Sequence, residues 1–465
     1  MKDASSSHQT GQRDSFGSSF GVLVALAGSA VGLGNLWRFP YLVGENGGAA
    51  FIIIYLGFVC LLGIPVLLSE FIIGRRSQAN ARGAFLHLAP GSRWTITGTI
   101  AVICCTLLLS FYSVVGGWGV EYFIRAVCFD FTRGGEAALS EMFSTFTVSP
   151  WKPLVCHTVF LLATALIVIS GIKNGIEKFS KIMMPLLFVI MIGLAIRSLT
   201  LPGAQAGIDY LFKPDWSEVS TGTFLAALGQ AFFSLSLGSG MVITYGSYVS
   251  KKANITKLGI ETAIADTLFA LIAGCAIMPA VFAFGISPGE GPGLVFITLP
   301  HIFSNLPLGG VIAIFFFLAL LLAALTSSIS VLEVVVAFCM EEFHMKRKTA
   351  VLIVFSVIWA LGCLCSLSLG ILEHWKVFGK TIFDLFDYLT ANVLMLIGGL
   401  LVVVFVGWKL GRKVIHDELT NGGKLHIPAA FIDTYSFLVR FVAPAALLTI
   451  MLFQYLSCIT GFLPE

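Results

Sequence analysis

Two membrane-length apolar segments of this chain are each interrupted near the middle by small residues. The first interruption covers residues 27–35 (Ala-Gly-Ser-Ala-Val-Gly-Leu-Gly-Asn), and the second covers residues 234–240 (Ser-Leu-Ser-Leu-Gly-Ser-Gly). A helix broken inside hydrocarbon leaves backbone N–H and C=O groups that lipid cannot satisfy. Such breaks are tolerated where these groups face protein, ions or a polar substrate. A pair of them is typical of a transporter binding site near the bilayer midplane.

The composition indicates a membrane protein. Hydrophobic residues make up 57% of the chain and charged residues 11%, whereas soluble domains carry about 25% charged residues. The net charge of +3 is small and the basic residues are dispersed among short loops, which argues against a nucleic-acid partner. None of the 8 histidines lies near a matching cysteine or carboxylate cluster within a predicted span, so we expect no enzymatic activity.

The lengths of the apolar segments predict an all-α polytopic membrane protein with eleven transmembrane helices, at about 20 residues for each crossing. The predicted spans lie near 16–39, 43–72, 95–128, 152–170, 176–199, 219–250, 256–284, 308–341, 348–370, 379–409 and 435–459. The interrupted spans are the first and the sixth. An odd number of spans in each unit reverses its direction, so we expect a 5+5 inverted repeat.

A single transporter domain is expected over the whole chain. Its parts are a cytoplasmic tail at 1–15, a first five-helix repeat at 16–199, a second and inverted repeat at 219–409, and an eleventh helix at 435–459. Sequence alone leaves open whether the protein is a monomer or a homodimer.

The basic residues predict the orientation. On one side of the predicted membrane lie 20 of the 28 Lys and Arg residues, and the positive-inside rule makes that side cytoplasmic. The N-terminus is then cytoplasmic and the C-terminus outside. The Asn254-Ile255-Thr256 sequon falls on the cytoplasmic side and the outer loop at 129–151 is small. We therefore expect a prokaryotic inner (plasma) membrane.

Ten cysteines are scattered through the apolar segments, and we interpret them as small buried hydrophobic residues. Cys128 and Cys156 flank one outer loop. A disulfide between them stays open, because spacing alone does not establish the geometry that a disulfide needs.

Broken helices supply electrostatic complementarity without charged side chains. The N-termini of half-helices attract a carboxylate, whereas C-termini and loose carbonyls attract cations. A hard cation such as Na⁺ requires several oxygen ligands. Oxygen-bearing side chains near the breaks belong to Asn35, Ser234, Ser236 and the run Thr326-Ser327-Ser328.

Ionisable residues inside predicted spans are candidates for function. Asp266 in span 7 suits direct ligation of a cation, and the alternative is a buried carboxylate hydrogen-bonded to backbone. Glu70 can satisfy donors freed by a helix break, and for Glu333 we expect a polar contact. Arg38 and Asp387 lie at the outer level of spans 1 and 10, where they either close the site or snorkel to the interface.

Several of these stretches resemble one known family. Gly28-Ser-Ala-Val-Gly-Leu-Gly-Asn-Leu-Trp-Arg-Phe-Pro40, Glu45-Asn-Gly-Gly48, Gln230-Ala-Phe-Phe-Ser-Leu-Ser-Leu-Gly238 and Thr326-Ser-Ser328 are similar to the neurotransmitter:sodium symporter family. The similarity runs in order from about Arg13 to the end of span 11. It implies a bacterial eleven-span symporter that imports an α-amino acid with two sodium ions by alternating access. The alternatives are a transporter of another small zwitterion and an ion channel, which needs a continuous polar pore.

The resemblance implies the following site residues. The first sodium ion would be held by the Ala30 carbonyl, the side chains of Asn35, Ser234 and Asp266, and the substrate carboxylate. The second would be held by the carbonyls of Gly28, Val31 and Ala323 and the hydroxyls of Thr326 and Ser327. The substrate would contact Ala30, Leu33, Gly34, Leu108, Tyr112, Phe233, Ser234, Ser236, Ser239, Ser327 and Val331. Tyr112 would donate to the substrate carboxylate.

The resemblance also implies two gates. Arg38 with Asp387 is similar to the outer gate, and Arg13, Tyr248 and Glu341 are similar to the cytoplasmic gate cluster.

Three departures from the family pattern sharpen these expectations. Gly32 stands where amine-transporting members carry an Asp, so the substrate must bring its own carboxylate. Asp266 replaces a neutral Asn of the leucine-transporting bacterial member, and its fixed charge predicts that chloride is not required. Ser239 stands where bulkier side chains often line the pocket, so it leaves room for a large apolar or aromatic side chain, and Leu108 and Val331 complete an apolar wall.

Span 5 carries a further signal near its cytoplasmic end. Gly175 and Pro185 bracket residues 176–184. Glycine weakens a helix and proline removes an internal hydrogen bond, so this stretch can unwind locally. Similar bacterial members use such a segment to admit water to the second sodium site. The alternative is an ordinary proline kink.

Overall fold

The computed structural model describes residues 14–133, 135–286 and 293–460. Within these ranges the regular elements are helices. The first eight are α1 (Ser19–Ala30), α2 (Gly34–Glu45), α3 (Ala49–Ser77), α4 (Ala81–Leu88), α5 (Thr95–Val127), α6 (Glu136–Val148), α7 (Lys152–Ile169) and α8 (Ile172–Leu199). The others are α9 (Gln205–Phe212), α10 (Thr221–Ser234), α11 (Met241–Ser247), α12 (Ile255–Ala283), α13 (Leu294–Ser304), α14 (Gly309–Glu342), α15 (Arg347–Leu367), α16 (Ile382–Leu419) and α17 (Ala429–Tyr455).

Among the described residues, 9 helices are long and apolar enough to cross a membrane, and the count reaches 10 when the bent pair α1 and α2 is taken as one span. The prediction of an all-helical polytopic membrane protein is confirmed. The predicted sixth span consists of two shorter helices, α10 and α11, neither of which reaches membrane length by itself.

Several helix bounds differ from the sequence prediction. The first span was expected to end near residue 39, but α2 continues to Glu45 because Pro40 occupies its first α-helical turn after a π-helical turn, where its missing N–H is tolerated. The second span was expected at 43–72 and lies at Ala49–Ser77. The short helices α4, α6, α9 and α13 were not predicted, because their composition is mixed and they are shorter than a bilayer crossing.

Two groups of helices pack around the interrupted segments. Helix α5 packs against α7, α14 and α15, which forms one continuous wall. Helix α3 packs against both halves of the second interrupted segment, α10 and α11. Helix α1 lies between the groups and contacts α8, α12 and α14, so the first break is surrounded by protein and not by lipid.

The cysteines for which the structure gives a state are free thiols, including the exposed Cys128 and the buried Cys156. The disulfide left open by the sequence is therefore not formed. The Cys156 sulfur lies 3.9 Å from the Glu121 carboxylate, so it faces a polar partner on α5.

Candidate substrate and ion site

The first break lies between α1 and α2, whose axes differ by 52°. Val31 ends α1 in an extended conformation, and a π-helical turn, Gly34–Arg38, follows. The freed N–H of Gly32 donates to Oδ1 of Asn35 at 3.1 Å. A Cβ at Gly32 would lie 2.5 Å from Oγ of Ser327, so the close approach of α14 requires glycine here.

The second break runs from the end of α10 at Ser234 to the start of α11 at Met241. Ser236, Gly238 and Gly240 adopt left-handed backbone conformations, with φ of 54°, 79° and 79°. The N–H of Gly238 donates to Oε1 of Glu70 at 2.6 Å. The prediction that Glu70 satisfies donors freed by a helix break is confirmed.

Three buried side chains join the two breaks to α12. Asn35 Nδ2 donates to Oδ1 of Asp266 at 2.8 Å, and Ser234 Oγ donates to Oδ2 of the same carboxylate at 2.7 Å. Asn35 Nδ2 also lies 3.2 Å from Ser234 Oγ. Asp266 is fully buried. The structure thus brings together the side chains predicted for the first sodium site, beside buried Ala30, as a cluster of negative charge and neutral oxygens.

The residues predicted for the second sodium site also converge. Oγ of Ser327 lies 3.4 Å from the Gly28 carbonyl and 3.1 Å from the Val31 carbonyl. Oγ1 of Thr326 donates to the Ala323 carbonyl at 3.0 Å. The loose carbonyls at the end of α1 therefore face hydroxyls of α14, a donor set of neutral oxygens that suits a hard monovalent cation.

A cavity of about 410 Å³ lies between the breaks. It is bordered by ten of the eleven residues predicted to contact substrate, namely Ala30, Leu33, Gly34, Leu108, Tyr112, Phe233, Ser234, Ser236, Ser327 and Val331. The exception is Ser239. Its side chain is fully buried and its hydroxyl donates to the carbonyl of Ser236, a residue that does border the cavity, at 2.6 Å.

Sequence reasoning missed part of the apolar lining. Phe111, Val115 and Trp118 of α5 border the cavity together with Met241 and Met395. The three α5 residues continue the helical face that starts at Leu108, since they follow it at i+3, i+7 and i+10 on one stripe. That periodicity was a usable signal, whereas nothing local in the sequence places Met395 here.

The cavity extends from the breaks to Arg38 and Asp387, which both line it. The Arg38 guanidinium lies over the Phe233 ring, 4.6 Å from its centroid. Both charged residues are described by the structure, and no direct ion pair joins them. The two residues predicted to form the outer gate therefore lie at the same end of the cavity without a direct contact between their charges.

The opposite side of the site is closed by a buried network. Arg347 forms a two-pronged ion pair with Glu333 at 2.7 and 2.8 Å, and Tyr248 donates to the same carboxylate at 2.7 Å. Asp14 lies 3.6 Å from Arg347. Glu333, for which only a polar contact was expected, therefore holds the end of α11 to the start of α15.

The predicted cytoplasmic gate is only partly visible. Arg13 lies outside the described residues. Glu341 accepts hydrogen bonds from the backbone N–H and the side chain of Asn80, at 2.8 and 3.0 Å, and so caps the start of α4. Tyr248 belongs to the Glu333 network, which the family resemblance did not include.

The bracketed segment of α8 lies beside the second candidate ion site. Met184 directly precedes Pro185 and packs closely against Gly28, since a Cβ built on that glycine would lie 3.3 Å from the Met184 sulfur. A Cβ at Gly175 would collide with the carbonyl oxygen of Ile167, so glycine is required where α8 begins. In this conformation residues 176–184 are helical.

Comparisons with known proteins agree with this geometry. The model of the sodium:neurotransmitter symporter family matches residues 13–136 and 129–460. The uncharacterized sodium-dependent transporter YhdH of Bacillus subtilis (strain 168) is 41% identical over 94% of this chain and 96% of its own length. The sodium-dependent dopamine transporter of Bos taurus is 25% identical over 88% of this chain and 64% of its own length.

A solved structure shares the fold. The crystal structure of MhsT in complex with L-phenylalanine superimposes with a TM-score of 0.87 and 44% identity, covering 95% of this chain and 99% of that one. The family model and the relatives cover nearly the whole described length. The chain belongs to the sodium:neurotransmitter symporter family and is a sodium-dependent membrane transporter.

Proposed function

We propose that this protein imports an α-amino acid with a hydrophobic or aromatic side chain together with sodium, by alternating access. The observation that carries the proposal is the cluster of Asp266, Asn35 and Ser234: its member Ser234 borders the cavity, and the cavity wall at Gly32 has no side chain. A cation held by this cluster lacks a ligand on the cavity side. The carboxylate of a bound amino acid can supply that ligand.

The helix ends suit the two charged groups of an amino acid. The N-terminal turn of α2 presents N–H groups, among them that of Leu33, which lies 3.4 Å from the Tyr112 hydroxyl. Such a turn attracts a carboxylate. The C-terminal turn of α10 presents the carbonyls of Phe233, Ser234 and Ser236, which attract an ammonium group. We assign a substrate carboxylate to Tyr112 and the α2 turn, and an ammonium group to the α10 carbonyls.

The cavity wall favours an apolar side chain. Leu108, Val115, Val331 and Met395 line it together with the aromatic residues of α5. These residues offer dispersion contacts and no charged partner for a substrate side chain. The structural neighbour MhsT was crystallised with L-phenylalanine, which supports an aromatic substrate for this chain.

Two sodium ions are proposed as co-substrates. Ala30, Asn35, Ser234 and Asp266 would hold one of them in contact with the amino acid. Gly28, Val31, Ala323, Thr326 and Ser327 would hold the other between α1 and α14. Because the second set ties the broken helix to the wall of α5, α7, α14 and α15, its occupancy would favour the conformation in which α1 is docked.

We further propose that Asp266 makes chloride unnecessary. Its carboxylate is buried beside the first ion site and supplies a fixed negative charge that neutralises the cation. Removing chloride should leave uptake unchanged.

The topology proposed is eleven spans in a 5+5 inverted repeat, with α10 and α11 together forming the sixth span. The basic loops predict a cytoplasmic N-terminus and an outside C-terminus in a prokaryotic inner membrane. In this orientation Arg38 and Asp387 would lie at the outer end of the cavity, and the Glu333 network would lie on the cytoplasmic side.

Uptake into proteoliposomes tests the proposal. The purified chain is reconstituted and supplied with each of the twenty amino acids, with an inward sodium gradient or with potassium in place of sodium. We expect saturable, sodium-dependent accumulation of hydrophobic or aromatic amino acids. Accumulation of a different zwitterion alone would overturn the substrate assignment, and sodium current without substrate accumulation would indicate a channel.

A further inference from the structure

A second cavity lies far from the substrate site, where the chain entering α1 meets the start of α8. Its volume is about 390 Å³. Three lysines, Lys173, Lys178 and Lys181, line it together with one carboxylate, Glu177. The cavity is on the side of the molecule that the basic loops predict to be cytoplasmic.

The Glu177 carboxylate is already satisfied. It accepts hydrogen bonds from the Gly17 N–H at 2.6 Å and from the Ser18 hydroxyl at 2.9 Å, and it pairs with Lys181 at 2.6 Å. Its side chain is only 2% exposed. Glu177 therefore fastens the entrance of α1 to α8 and neutralises one of the three lysines.

The positive charges of the other two lysines are not neutralised by a neighbouring carboxylate in the described part of the chain. Lys173 and Lys178 are exposed, and neither has an ion-pair partner within residues 14–133, 135–286 and 293–460. The cavity thus presents two free ammonium groups to whatever occupies it. An anion is the complementary ligand.

An apolar strip begins at the rim of the cavity. Ile182 lines the cavity and is 55% exposed, and Leu186 and Val189 continue the same exposed face of α8 towards the membrane interior. Phe20 of α1 is exposed at the same end. In a bilayer these side chains face acyl chains. The site therefore combines a cationic pocket at the interface with an adjoining lipid-facing surface.

We propose that this cavity binds the headgroup of an anionic phospholipid. The phosphate lies between Lys173 and Lys178, and the acyl chains lie along Ile182, Leu186 and Val189. Basic pockets between membrane helices on the cytoplasmic side bind anionic headgroups for the same electrostatic reason. A free phosphate offers the same charge but leaves the apolar strip unused, so a phospholipid matches more of the surface.

The position of the cavity gives the lipid a structural consequence. Lys173 precedes Gly175, and Lys178 follows it, so a phosphate held by both lysines spans the point where α8 can unwind. A bound lipid then stabilises the helical form of this segment.

Native mass spectrometry of the full-length chain tests the proposal. The protein in detergent is titrated with phosphatidylglycerol or with phosphatidylcholine, and the tightly retained lipids are counted. We expect the double variant K173Q/K178Q to lose one retained phosphatidylglycerol per molecule. The matched control, K251Q/K252Q, removes two adjacent exposed lysines from the α11–α12 loop, outside the cavity, and should retain it.

Three outcomes would overturn the proposal. The first is equal phosphatidylglycerol retention in the two double variants, and the second is equal retention of phosphatidylcholine by the unaltered chain. The third is displacement of the lipid by millimolar inorganic phosphate, which would identify a simple anion site. Matching thermal unfolding of both variants without lipid ensures that a loss of binding is not a loss of folding.

Discussion

Nδ2 of Asn35 donates a 2.8 Å hydrogen bond to the carboxylate of Asp266 and so connects the first broken helix to α12. Both side chains are buried, so the bond lies in a region of low dielectric where it is strong and where an unpaired partner is costly. If this cluster binds sodium as proposed, binding is coupled to the position of the broken helix. The coupling gives several measurable consequences.

Replacing Asp266 should weaken sodium binding at the first site. Asp266→Asn keeps the side-chain shape but removes the negative charge, so we expect the sodium concentration for half-maximal uptake to rise by at least about tenfold, equivalent to about 1.4 kcal/mol. Uptake by this variant should also become stimulated by chloride. The control Asp209→Asn alters a carboxylate on the short helix α9 and should leave both properties unchanged.

Introducing a carboxylate at position 32 should impair binding of an amino acid. In Gly32→Asp, the new charge faces the substrate carboxylate, and close like charges cost several kcal/mol. Gly32→Asn makes the same steric contact with Ser327 without the charge. We expect substrate binding, measured by scintillation proximity, to be at least about tenfold weaker for Asp than for Asn. Sodium-coupled uptake retained in Gly32→Asp would refute the role of the substrate carboxylate.

Removing the Ser327 hydroxyl should weaken sodium binding more than removing the Ser330 hydroxyl on the same helix. Ser327→Ala removes an oxygen that faces the carbonyls of Gly28 and Val31, and we expect about tenfold weaker sodium affinity, since hydrogen bonds and ligands to charged groups contribute about 1.5–3 kcal/mol. Ser330→Ala removes a buried hydroxyl of α14 that donates to the Thr326 carbonyl and faces neither Gly28 nor Val31 in a hydrogen bond. Equal sodium affinities of the two variants, measured by sodium-dependent substrate binding, would contradict the second ion site.

The ion pair between Glu333 and Arg347 should contribute more to the stability of the folded protein than the Tyr248 hydrogen bond does. In Glu333→Gln, the Arg347 guanidinium loses its buried charged partner and keeps only the more exposed Asp14 at 3.6 Å. Breaking a buried pair costs about 3–5 kcal/mol. Tyr248→Phe removes a hydrogen bond to the Glu333 carboxylate, at about 1.5–3 kcal/mol. The midpoint temperature of thermal unfolding in detergent should therefore be highest for the unaltered chain, lower for Tyr248→Phe and lowest for Glu333→Gln. Restoring neutrality with Glu333→Gln/Arg347→Gln should recover part of the loss.

Unwinding of α8 should depend on Pro185. Pro185→Ala restores a backbone donor inside the helix, so we expect slower hydrogen exchange at residues 176–184 and slower uptake. The control is Pro279→Ala, which makes the same change inside α12. Exchange at residues 176–184 that is as slow as in neighbouring helices for the unaltered chain, with and without substrate and sodium, would support an ordinary kink instead.

Most residues of the candidate site could be predicted from the sequence because their signals are local. The breaks near Gly32 and Gly238 are visible as small residues within apolar runs, and Asp266 is visible as a carboxylate in a span. The helical period along α5 carries Leu108, Phe111 and Val115 to one face. Ser239 is the one predicted contact residue that does not border the cavity, and it lies between two glycines with left-handed backbone conformations, which the sequence alone does not specify.

Sequence by itself determined the membrane class, the two broken segments, the identity of the polar residues at them and the acidic group that supports Gly238. These depend on hydrocarbon excluding unsatisfied polar groups, a rule that acts on short stretches of chain. Only the tertiary structure decided that Glu333 pairs with Arg347 and Tyr248, and that Arg38 stacks on Phe233 without reaching Asp387. These contacts join residues far apart in the chain, so their geometry follows from how the helices pack and not from the spacing of the residues.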